Sequence, residues 1–167
     1  QKTEKIYQNI ILSIGIKFPM PPELIFANSE KSVAYISKKG IVIEKKLINL
    51  FCGEKDFEAK IAYVIAHELA HHYLNHNWMK GSGLVYNNSS IGDFFYDKSK
   101  DKDQRKIAES QADLFGGFYG QIAGYNVLPY AEETLRKIYE VYDIPVESDL
   151  YPDLEERVTI INSNISQ

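Results

Sequence analysis

The stretch HELAHH, residues 67–72, constrains this chain more than any other. All four of its histidines fall within residues 67–76. His67 and His71 are four residues apart, so on a helix their side chains lie about 40° apart on one face. Two imidazoles held that way can bind one zinc ion, and the helix sets their spacing before any metal arrives. Glu68 follows the first histidine. There it stands beside the metal without being a ligand, and can take a proton from a zinc-bound water. His72 and His76 point off the ligand face and read as surface or packing residues.

Zinc of this kind needs a third protein ligand and an open position. No histidine remains outside the window, so a carboxylate must serve. ESQAD, residues 109–113, offers the best one. Glu109 and Asp113 are also four apart on a second helical stretch. Glu109 can ligate, while Asp113 can accept a hydrogen bond from the outer nitrogen of His67 or His71 and so fix the imidazole's tautomer. The small residues Ala112, Gly116, Gly117 and Gly120 are expected to let this helix approach the HELAHH helix closely.

The rest of the 167 residues supplies a frame for these two helices. Ile6, Ile10 and Ile14 recur at helical spacing, with Gly15 as a stop. ELIFAN, VAYIS and GIVIE are short, apolar and separated by turn-like residues, so they read as strands, the last two as a hairpin. KKLINLF reads as a short helix ended at Gly53. From Glu54 to about Trp78 the pattern is helical, with Phe57, Ile61, Val64, Ile65, Leu69 and Tyr73 as one apolar stripe. Residues 81–104 read as a loop carrying one aromatic patch. A helix from about Asp103 to Ala123 ends at Gly124, another starts near Pro129, and Pro152 opens a last one. This is an α+β class of fold, with residues 1–167 expected to form a single catalytic domain.

Composition narrows the partners. A net charge of -4 argues against nucleic acid. No apolar run approaches the ~20 residues of a membrane span. The single cysteine, Cys52, can form no intrachain disulfide and is expected to be a buried small hydrophobe. The chain begins at Gln1, so an N-terminal segment is expected to have been removed. An exported or membrane-associated location (periplasm or cell envelope) is the preferred expectation, and membrane association of a longer product stays open.

HELAHH, then ESQADLFGGFYGQIAGY, then YPDLEER resembles the gluzincin peptidases of the HtpX, Oma and CAAX-endopeptidase group, peptidase family M forty-eight. VAYISKKGIVIEKKLI is similar to the family's edge strand, turn, strand and short helix. The resemblance covers about residues 23–165. It implies a zincin-like fold with a small sheet of about three strands, and one zinc ion per chain held by His67, His71 and Glu109. It further implies Glu68 as general base and Asp113 as the partner behind a ligand. The family's late motif has His-Pro and an arginine six residues after the histidine. Here Tyr151 replaces the histidine, while Pro152 and Arg157 are kept. Tyr151 and Arg157 are thereby expected to face the oxyanion. The activity implied is a zinc-dependent endopeptidase acting on protein or peptide, with substrate added along an edge strand near Val33–Ser37. The alternative is a zinc-binding sensor, scaffold or chaperone module with a protease-like fold and little turnover.

Overall fold

The structure, a computed structural model, describes residues 1–15, 21–29, 32–37, 39–74, 102–147 and 153–165. Among these the fold is α+β, with six helices and one three-stranded mixed sheet. The first helix, α1 (Lys2–Ile14), buries Ile6, Tyr7 and Ile10 and ends at Gly15, whose φ of 66° is left-handed. Glycine takes that conformation without a Cβ clash, so the helix stops where the sequence places it.

The strands are β1 (Glu23–Ala27), β2 (Ala34–Ile36) and β3 (Gly40–Glu44). The expected hairpin is present: β2 runs antiparallel to β3, with Tyr35 opposite Val42. β1 then pairs parallel to the other side of β3, Glu23 opposite Gly40, so β3 is central. All five residues of β3 are buried. Gly40 is required there, since a Cβ would stand 2.0 Å from the backbone oxygen of Glu23. The buried Glu44 carboxylate accepts the Ser29 backbone N–H at 3.0 Å and the Ser29 hydroxyl, which ties the end of β1 to β3.

Helix α2 (Lys45–Phe51) follows β3 directly and buries Leu47 and Phe51. Cys52 caps it. The expectation of a buried thiol is corrected here: Cys52 is exposed, because it sits in the turn that leads to the left-handed Gly53 and faces away from the core.

Helix α3 (Phe57–Tyr73) departs from the single apolar stripe expected of it. Every residue from Ala59 to His71 is buried. α3 is the central helix, packed by α1 and α2, by β2 and β3, and by α4 (Lys102–Ile122) and α5 (Leu128–Val141). A helix packed on this many sides has no polar face turned to solvent, so Lys60, His67, Glu68 and His71 are buried along with its apolar residues. The expected continuation from 75 to Trp78, His76, and the loop residues 81–101 lie outside the described residues. α4 ends at a left-handed Gly124, with the Tyr125 N–H bonded to the Gly120 carbonyl at 3.0 Å. Pro129 occupies the first turn of α5. The last helix, α6 (Leu154–Ile165), packs on α4 and α5 and buries Leu154, Arg157, Val158 and Ile161.

Candidate active site

Helices α3 and α4, in close contact, build the site. A Cβ on Gly116 of α4 would lie 2.8 Å from both Cα and N of His67 on α3, so only glycine permits this approach. Ala112, one turn earlier, is fully buried. Gly117 and Gly120 do not serve this approach, which corrects the expectation for them. They face Leu128 and Val127, where α5 begins.

With the helices this close, His67, His71 and Glu109 converge. The two Nε2 atoms are 3.1 Å apart. Glu109 places Oε2 3.3 Å from His67 Nε2 and Oε1 3.4 Å from His71 Nε2. All three side chains are fully buried. Tetrahedral zinc with ligand bonds of about 2.0–2.1 Å would separate its ligand atoms by about 3.3 Å. The trio therefore fits a zinc ion in size, donor chemistry and ligand number. Glu68, next to His67, is fully buried as well.

Asp113 stands behind His67, not His71, which decides between the two expectations. Its Oδ1 is 2.9 Å from His67 Nδ1, somewhat off the ring N–H axis. The same oxygen accepts the Tyr63 hydroxyl at 2.9 Å and Arg157 Nη2 at 2.7 Å, and Oδ2 accepts Arg157 Nε at 2.7 Å. Arg157 Nη1 reaches the Tyr139 hydroxyl at 3.3 Å. The expectation that Arg157 faces an oxyanion meets a different placement. All three of its guanidinium nitrogens have protein partners, on the Nδ1 side of His67. Tyr151 and Pro152 lie outside the described residues.

The electrostatics favour a cation at the trio. Burial opposes ionisation of His67, but Asp113 and Glu109 outweigh it and hold the imidazole up at about 10, from an ordinary 6.5. Burial likewise pushes against the charged form of Asp113, yet Arg157 and His67 bring it down to about 2. Glu109, similarly buried, is held well below the usual carboxylate range by His71 and His67. The Glu109 carboxylate, within 3.4 Å of both Nε2 atoms, thus favours a proton or a metal beside the imidazoles.

Tyr63 was missed in the sequence, although its signal was present. Tyr63, His67 and His71 recur every four residues along one face of α3, and Arg105, Glu109 and Asp113 do so along α4. Arg105 is buried too. His72 falls off this face, half-buried and edge-on to Tyr73 at 5.5 Å.

Two histidines one turn apart, a glutamate beside the first and a carboxylate from a following helix that could complete a metal site, in an α+β frame, define a zinc-metallopeptidase type of protein. The profile of Peptidase family M48 matches residues 1–95, and the chain belongs to this family. Its peptidases are zinc-dependent and act on proteins or peptides. The match includes His67, Glu68 and His71, whereas Glu109, Asp113 and Arg157 lie beyond it and join the site through geometry. No curated protein matches the chain. No described helix is long and apolar enough to cross a membrane.

Proposed function

We propose that this chain is a zinc-dependent endopeptidase. The convergence of His67, His71 and Glu109 beside a buried Glu68 carries the reading. Zinc, when bound, supplies a Lewis acid for the scissile carbonyl and makes water a stronger acid. The two imidazoles and Glu109 hold it, and Asp113 keeps the Nε2 lone pair of His67 turned inward. Glu68 takes a proton from the attacking water and returns it to the leaving amine. A substrate backbone adds to the outer edge of β2, which pairs with β3 on its other side and packs against α3. Tyr151 is the proposed oxyanion donor, since a phenol can donate there as an imidazole does.

Glu68→Gln tests the reading. The amide keeps the shape but cannot take up a proton. The variant should retain one zinc per chain and the wild-type melting temperature while losing peptide hydrolysis by at least about 100-fold. Zinc-loaded wild-type protein that cleaves no peptide or protein, or a Glu68→Gln variant at the parent rate, would overturn it in favour of a zinc-binding module.

A further inference from the structure

Helices α3 and α4 supply every member of the ligand trio. α6 supplies none, yet it sends Arg157 into the same buried network at 1% exposure. A buried guanidinium is costly unless its donors are matched. Here the match is a paired contact with both oxygens of Asp113, each at 2.7 Å. Asp113 in turn reaches the site at His67 Nδ1, 2.9 Å from its Oδ1. Tyr63, one turn before His67 on α3, donates to the oxygen that faces this nitrogen.

We propose that Arg157 and Tyr63 are positioning residues for the metal ligand His67, acting through Asp113, and that they couple docking of α6 to metal affinity. The proposal rests on the metallopeptidase reading of the trio. A carboxylate with a single imidazole partner can rotate about its Cβ–Cγ bond. The planar fork of Arg157 fixes the carboxylate plane, and the Tyr63 hydroxyl adds a third direction. Held so, Asp113 keeps the proton on Nδ1 by accepting from it, which leaves Nε2 as a lone pair toward Glu109 and His71. A turned carboxylate would allow the other tautomer, with a proton where the metal belongs. Such outer partners typically change metal affinity by about 10- to 100-fold. Linkage is reciprocal, so metal binding tightens α6 on α4 by the factor that Arg157 adds to metal binding.

A merely structural Arg157 would hold α6 in place and leave the metal indifferent. The two are separated by the zinc Kd, measured by competition with a chromophoric chelator, and by the visible absorption of the cobalt-substituted protein. The variants are Arg157→Met, Arg157→Lys, Tyr63→Phe, Asp113→Asn and the double variant Asp113→Asn with Arg157→Met. Arg157→Met should weaken zinc by about 10- to 100-fold and alter the cobalt bands. Arg157→Lys, which keeps the charge without the paired contact, should be intermediate. Tyr63→Phe, the mildest change, should weaken zinc by about 5-fold, as for one hydrogen bond, and it keeps the proposal testable if Arg157→Met fails to fold. In the Asp113→Asn background, Arg157→Met should add little, because the path runs through Asp113. Unchanged affinity and cobalt spectrum in Tyr63→Phe and the Arg157 variants, whatever their melting temperatures, would overturn the proposal, as would fully additive losses in the double variant. Wild-type protein that takes up no zinc would overturn the metal reading itself, a result distinct from both.

Discussion

Lys60 of α3 and Arg157 of α6 are both buried cations, and they do different work. The Lys60 ammonium lies 2.5 Å from Glu54, 2.7 Å from Glu133 and 3.3 Å from Asp56. Burial acts to lower its pKa, but Glu133, Glu54 and Asp56 more than offset this, so it stays charged. It ties the start of α3 to α5, two turns before His67. Lys60→Met should destabilise the fold by about 1–3 kcal/mol, less than a fully buried pair would cost, because its partners are part-exposed and rehydrate. Zinc stoichiometry should not change. Thermal melts with elemental analysis check both halves of this expectation. The proposed ligands His67, His71 and Glu109 could be picked out of the sequence because helical spacing pairs His67 with His71 and Glu109 with Asp113. Lys60 was not, since its carboxylates come from a turn and from a helix over 70 residues away.

At the scale of elements, the site depends on how closely α4 approaches α3. Gly116 meets the backbone of His67, which cannot move aside without moving a ligand. Gly117 meets only the Cδ2 of Leu128, a side-chain tip that can swing. Gly116→Ala should therefore cost about 1–3 kcal/mol and weaken zinc as well, because pushing the helices apart withdraws Glu109. Gly117→Ala should leave zinc affinity near wild type. Melting temperature and zinc competition on the two variants check this, and equal zinc affinities would show that the close contact does not position Glu109. The small-residue run in α4 was visible in the sequence. Which glycine served which neighbour was not, because helical phase does not reveal what α5 packs against.

For the whole molecule, a metal that joins α3 to α4, and through Asp113 to α6, links binding to global stability. A ligand that binds only the folded state at 100 times its Kd adds about 2.7 kcal/mol. For a chain of this size that corresponds to a rise in Tm of about 5–11 °C. Removing zinc with a chelator should lower Tm by about that much, and adding excess zinc should restore it. Scanning calorimetry of the chelated and reloaded protein measures the shift. A Tm indifferent to the chelator, with the metal shown to be gone, would mean that the trio carries no part of the fold's stability.

What the sequence determined by itself was local. Period and spacing set the helices, the β2–β3 hairpin, the His67–His71 pair and the Glu109–Asp113 pair, because each depends on residues within a turn or a tight loop of one another. Tertiary structure decided the rest. It ran β1 parallel beside β3, and it enclosed α3 on every side, so that a helix read as amphipathic became the centre of the core. It exposed Cys52 at a turn, chose His67 over His71 as the partner of Asp113, and turned Arg157 onto that carboxylate. Apart from the exposure of Cys52, which follows from its local turn, each of these outcomes is set by which surfaces meet across long stretches of chain. The backbone contact at Gly116 and the charge balance around Asp113 exist only once α3, α4 and α6 have packed together.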